Sequence, residues 1–404
     1  MSILSYSKDV TINGGIFTAV TTSPTQMGID ILVKASNPNA MHNSSARYDP
    51  PKCHPGTREA ILEHIMQWIF GSDDRDALIL WLYGPAGAGK SAILQSIAEK
   101  CAALDILLAS FFFSRSDSSR DHPGPLIATI ASQISARIPE MSTALHAAIV
   151  RDPMIFEKTL DAQIDLLIVE PLRHLVQSGY FAYHSSSPRL VLIDGLDECD
   201  DQGQRRGVLR AIARALCVHK LPFIFLVSSR PETDIRFSFD SAELADLWDS
   251  LVLDNSYTTR DDIRLFLTDS FQYIKETHPL KEHIPPSWPT SSVIDTLIAK
   301  SSGQFIYPSV IIQYISALNV SPRQQLDVVL GIRAARSSDV PFAEIDALYM
   351  HILSSVQDTQ LMLDILAILM NYFFHIGQTR RSLDIAAFLG ADQEDVISTF
   401  PMHR

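Results

Sequence analysis

The sequence predicts an α/β fold of three layers, a parallel sheet covered by helices on both faces, followed by an all-helical part. Three observations predict it. Short, wholly apolar runs alternate with helical patterns between residues 77 and 253, and strands that are apolar throughout belong to sheets buried on both faces. A glycine-rich loop follows the first of these runs and opens a helix. Beyond residue 257 the strand-like runs stop and only helical spacing remains.

The elements follow in order. Residues 1–50, rich in Ser, Thr, Asn and Gly, form an expected flexible leader. It has two alternating, strand-like stretches, 9–19 and 28–34, and a hairpin-turn signal at Asn13-Gly14. Ile61, Ile65, Trp68 and Ile69 recur at helical spacing until the breakers Gly71 to Asp74. Residues 77–83 read as a buried strand, and 90–103 as the helix after the loop. Further strands are expected at 106–113, 190–193, 222–227 and 251–253, with helices at 125–138, 163–176 and 204–216. The helical part comprises 261–274, 292–300, 306–318 and 322–330, then 344–356, 359–373 and 382–388 after a loop at 337–341.

With 404 residues the chain exceeds one average domain. A net charge of −13 and the lack of any Lys/Arg run argue against a nucleic-acid partner, because phosphate contacts need a basic face. Cys53, Cys101, Cys199 and Cys217 have no C-x-x-C spacing and fit reduced thiols in a cytoplasmic protein. Cys53-His54 lacks further ligands at zinc-finger spacing. The first twenty residues carry no signal-peptide pattern. The longest apolar stretches, 305–318 and 361–374, are too short for a membrane span, and Asp364 interrupts the second.

The chemistry sits in the sheet half. Gly84-Pro85-Ala86-Gly87-Ala88-Gly89-Lys90-Ser91 fits G-x-x-x-x-G-K-[ST] between a strand and a helix. Such a P-loop converges backbone N–H groups on phosphates at a helix N-terminus. Lys90 supplies a cation to the β- and γ-phosphates, and the Ser91 hydroxyl is a ligand for Mg²⁺. Leu190 to Ile193 ending in Asp194 has the shape of a Walker B strand, with Asp194 as the second magnesium residue. Gly195 takes the place next to it, where fast P-loop ATPases usually carry a glutamate. The expected base is therefore Asp197 or Glu198, with Glu198 preferred, and hydrolysis is expected to be slow. Arg230, at the end of another strand, is placed to contact the γ-phosphate, and Arg115 stands between a site role and a surface role. With no Asn-Lys pair to read guanine, the expected cofactor is ATP/ADP with Mg²⁺.

GPAGAGKS, FFFSR, LVLIDGLDECD and FLVSSRPE, in that order, resemble the NACHT NTPases of the STAND class, above all fungal members and nephrocystin-3-like P-loop domains. Residues 46–62 and 300–315 look like the stretches flanking that domain. The resemblance implies an NTPase domain at 51–257, a helical domain at 258–336 and a winged-helix domain at 337–404, complete or cut short. It implies a switch that ADP holds closed and ATP opens for self-association or a partner protein. It also places 54–59 and 303–308 beside the adenine, with Pro308 as the residue packing on the base. His403 stands one residue away from where relatives contact the ADP phosphate. The repeats that usually follow in relatives are absent from these 404 residues. The leading expectation is a nucleotide-dependent signalling or self/non-self recognition switch. The alternatives are a continuously cycling ATPase and an interaction module with a structural nucleotide.

Overall fold

The computed structural model describes residues 24–331, apart from 48, 72–76, 184–188 and 254–258, together with the isolated positions 347, 349, 350, 363 and 364. The alternating stretch 9–19, the Asn13-Gly14 turn, the winged-helix expectation and His403 lie outside the described residues, as do the helices at 344–356, 359–373 and 382–388 but for those positions.

Five strands, β1 Ile79–Tyr83, β2 Leu107–Phe112, β3 Leu190–Asp194, β4 Ile224–Ser229 and β5 Trp248–Val252, pair in parallel in the order β2-β3-β4-β1-β5. The strand after the P-loop crossover is thus not the neighbour of β1. β4 lies between β1 and β3, so whatever ends β4 falls between the glycine-rich loop and Asp194. Period-two alternation splits each apolar run between two cores. Trp81, Phe111, Ile193, Phe225 and Val227 face one side. Leu80, Leu82, Phe112, Leu192 and Leu226 face the other.

The second core is closed by α2 Glu59–Ile69 and α3 Lys90–Ala103. The first is closed by α1 Pro24–Ala35, α4 Leu126–Arg137, α5 Ser142–Arg151, α6 Leu160–Ile164, α7 Glu170–Gln177, α9 Gln202–Cys217 and α10 Thr233–Phe239, with α8 Tyr180–Tyr183 beside them. Between α6 and α7 the backbone widens to a π-helix over Asp165–Val169, so 160–177 runs on as one helical rod. A third, separate core joins α11 Thr259–Thr277, α12 Ser291–Ser301, α13 Ile306–Ile315 and α14 Pro322–Gly331 through Phe271, Trp288, Leu297, Ile311 and Leu326. α5 and α10 had not been expected.

The leader reading needs correction from residue 24 onward. The stretch 28–34, expected as extended, lies in helix α1. Gly28 and Leu32 are buried one turn apart, a spacing that serves a helix as well as the same run serves a strand. Contact with α5 settles the choice: Gly28 seats so closely that a Cβ there would lie 2.7 Å from the His146 carbonyl oxygen. The chain then runs along edge strand β2 and α3 toward the cavity described below. The Asn37 amide donates to Thr129 Oγ1 at 2.8 Å, and the His42 amide to Ser110 Oγ at 3.0 Å. Gln95 Nε2 donates to the His42 carbonyl at 3.0 Å, and the Arg47 guanidinium lies 3.6 Å above the Phe112 ring. The Cys53 amide ends the run on Ser96 Oγ at 3.0 Å.

Candidate functional site

β1, β3 and β4 all end at one edge of the sheet, and the loops they feed enclose a cavity of about 310 Å³. Its polar end is formed by Gly87, Gly89, Lys90, Ser91, Asp197, Glu198 and Arg230. Its other end is formed by Pro51, Cys53, His54 and Arg58 from the segment before α2, and by Phe266, Phe305, Ile306 and Ser309 from α11 and the start of α13. The helical part therefore supplies a wall of the cavity.

The P-loop takes its expected place. Gly84 and Pro85 leave β1, Ala86, Gly87 and Ala88 form the turn, and Gly89 caps α3 at φ 93° with open space where a Cβ would stand. The Lys90 ammonium donates to the Gly84 carbonyl at 2.8 Å and the Pro85 carbonyl at 2.9 Å. Burial lowers its pKa, while the charges of Asp197 and Asp194 oppose that shift. Gly87, at φ 74°, lies against α13: a Cβ there would come within 2.6 Å of Ile306 Cγ2.

Asp194 is 4% exposed. Ser228 Oγ donates to its Oδ1 at 2.5 Å and accepts from the Gly195 amide at 3.1 Å. The Ser91 hydroxyl also bonds to the carboxylate. Burial raises the Asp194 pKa, and these hydroxyls with the Arg47 and Lys90 charges pull it back. A hydroxyl and a carboxylate side by side are hard oxygen donors, the set that suits Mg²⁺. Among the described residues no group of three or more His, Cys, Asp or Glu could hold a metal. His54, next to Cys53, instead pairs with Asp269 at 2.8 Å.

The two candidate bases prove unequal. Asp197 is 3% exposed and has both oxygens engaged by one residue: the Arg230 amide donates to Oδ1 at 2.8 Å, and Arg230 Nε lies 3.1 Å from Oδ2. Among the described residues Glu198 accepts the Arg115 amide alone, on Oε2 at 3.1 Å. Burial raises its pKa, opposed by that amide and reinforced by the charges of Asp194 and Asp197. Arg115 braces the same turn by donating from Nη2 to the Asp197 carbonyl at 2.9 Å, with its side chain more than half exposed.

Residues 54–58 and 303–308 do meet at the cavity, but not through Pro308. That proline is buried inside α13, and its neighbours Phe305, Ile306 and Ser309 form the wall. Sequence reasoning placed the 54–59 stretch here without singling out Arg58, and missed Phe266. Arg58 is 6% exposed and sits at φ 56°, a left-handed conformation costing a residue with a side chain about 1–2 kcal/mol. Its amide donates to Asp262 Oδ2 at 3.1 Å, and its Nη2 to the Ala88 carbonyl at 3.1 Å. A buried arginine has no signature in a lone T-R-E string, and Phe266 looks like any core position of an amphipathic helix.

The strand order, the glycine-rich loop between β1 and α3, and Asp194 at the end of β3 settle the fold. This is a P-loop NTPase fold. Residues 56–230 match the family model described as Nephrocystin 3, N-terminal. The search of curated proteins finds no match. Among solved structures, the fold is similar to the RuvB Holliday junction branch migration motor of Thermotoga maritima (12% identity, 85% of each chain, TM-score 0.33). It is also similar to the structure of Drosophila ORC bound to AT-rich DNA and Cdc6 (14% identity, TM-score 0.28), spanning 92% of this chain and 58% of that one. Scores this low add nothing to what the strand order and the loop establish.

All four cysteines are unpaired. No helix among the described residues is long and apolar enough to cross a membrane.

Proposed function

We propose that the cavity binds ATP or ADP with Mg²⁺, and that the chain is a nucleotide-dependent switch of the NACHT, STAND type with slow hydrolysis. One observation carries the proposal: the nucleotide-sized cavity is walled by the P-loop on one side and by α11 and α13 on the other. A ligand touching both parts can favour one arrangement of them over another, which is what a population shift requires.

In this reading the P-loop amides and Lys90 receive the phosphates, Lys90 exchanging its bonds to Gly84 and Pro85 for phosphate oxygens. Ser91 and Asp194 would hold Mg²⁺, which when bound neutralises phosphate charge. Phe266, Phe305 and residues 51–54 take the base. Glu198, with one oxygen on the Arg115 amide, uses the other to accept a proton from the attacking water. Asp197 holds Arg230 in place, and Arg230 reports on the terminal phosphate.

Binding of ATP and ADP by calorimetry, with molar mass followed by light scattering, tests this in the wild type and in Lys90→Ala. The expected outcome is ATP-dependent self-association with slow turnover, both abolished by the substitution. Rapid turnover without a change of state would replace the switch by a cycling ATPase. Nucleotide that never exchanges would make it structural, and absence of binding would end the nucleotide reading.

A further inference from the structure

Arg58 is built unlike a residue that only fills space. A non-glycine residue is held left-handed where glycine or asparagine would sit without strain, and its guanidinium is buried. Strain of this kind persists when the surroundings over-determine it, and it concentrates at functional positions. The surroundings are on view: the Asp262 carboxylate fixes the Arg58 amide, the Phe305 ring lies 5.0 Å from the guanidinium carbon, and Nη2 reaches the Ala88 carbonyl.

The Ala88 carbonyl is the informative partner. The Ala88–Gly89 peptide is trans, the described chain having its cis bond at Trp288-Pro289. In a planar trans peptide the C=O and the following N–H point in opposite directions. Tying the Ala88 oxygen back toward Arg58 therefore aims the Gly89 N–H the other way. Gly89 lines the cavity and has open space around it. We propose that Arg58 is a positioning residue for phosphate binding: it locks the Ala88–Gly89 peptide so that the Gly89 amide faces the phosphates. This rests on the nucleotide reading above and adds to it a residue that touches the loop's carbonyl rather than the ligand. Because the same arginine is anchored on Asp262 of α11 and lies over Phe305, the loop's readiness for phosphate depends on the helical part being seated.

The test uses Arg58→Gly, which removes the guanidinium while suiting the left-handed backbone, and Arg58→Lys, which keeps a donor. Each full-length protein is labelled with ¹⁵N-glycine and titrated with inorganic tripolyphosphate and with ATP, and folding is checked by thermal melting. In the wild type the Gly89 amide should move downfield on tripolyphosphate. In Arg58→Gly that shift should be lost and affinity for both probes should fall about tenfold, with Arg58→Lys recovering part of each. Wild-type affinity and a wild-type Gly89 shift in a folded Arg58→Gly protein would overturn the proposal. So would a fall for ATP with tripolyphosphate unchanged, since Arg58 would then serve the base. Should Arg58→Gly not fold, Arg58→Met decides, since it keeps a long side chain and no donor: an unaltered Gly89 shift with its melting temperature lowered would assign a purely structural role. A wild type that binds neither probe would instead refute the nucleotide reading.

Discussion

The two ends of the cavity are made in opposite ways. The end proposed for the phosphates is built from strand ends of a single sheet: residues between Ala86 and Ala92 after β1, Gly195, Asp197 and Glu198 after β3, and Ser228 and Arg230 at the end of β4 carry it. The end proposed for the base is assembled from three places far apart in the chain, 51–58, Phe266 and 305–309, joined by long-range contacts such as His54 to Asp269 and Arg58 to Asp262. Phosphate chemistry demands backbone amides and fixed charges in a tight local geometry. A flat aromatic base asks only for apolar walls at the right spacing, which many segments can supply. The ends should therefore fail differently when altered.

The largest effect is expected at the phosphate end. Glu198→Gln should lower turnover about a hundredfold or more while ATP still binds. Because burial raises the Glu198 pKa, the base form is lost at a higher pH than for an ordinary glutamate. The wild-type rate should fall with falling pH already above the usual carboxylate range, and the variant should lack that limb. A pH-rate profile checks both.

Asp194→Asn comes next. The dependence of ATP affinity on Mg²⁺ should drop about tenfold, with binding of ATP in EDTA little changed. The same substitution should stabilise the nucleotide-free protein. A folded-state pKa above the ordinary value means that stability present in acid is lost as pH rises through it, so the ionised carboxylate is a cost at neutral pH. Melting temperatures should show the variant ahead at pH 7 and level with the wild type below the ordinary carboxylate range.

At the base end Phe266→Ala should weaken ATP about fivefold, the scale of a lost aromatic contact, and leave inorganic tripolyphosphate unaffected. Equal loss for both probes would show that the two ends are not separable. The smallest effect belongs to Asp269→Asn, which breaks the His54 pair. A half-exposed pair of this kind contributes little, and ATP affinity should change less than about twofold by calorimetry.

The same contrast explains which residues were legible beforehand. The places of Lys90, Ser91, Asp194 and Arg230 at the strand ends could be read because the motifs that hold them are short strings with a local geometry. The choice between Asp197 and Glu198 could not be closed that way. The proposal of Glu198 rests on Arg230, 33 residues downstream of Asp197, arriving on the neighbouring strand to occupy both of that carboxylate's oxygens. Pro308 does not line the cavity while Phe305, Ile306 and Ser309 do, because which face of α13 meets the cavity depends on how the helix docks.

Pattern and propensity were enough for the parallel α/β sheet, the glycine-rich turn and the helices between residues 259 and 331, since backbone hydrogen bonding and apolar periodicity are local properties. They could not say that 28–34 is helical, because a short apolar run suits either period until the backbone of α5 is placed against Gly28. Nor could they place Arg58, whose role depends on a carbonyl 30 residues away and a carboxylate 204 residues away. Contacts at such separations exist only once the cores have packed against one another, and the end of the cavity proposed for the base is made almost entirely of them.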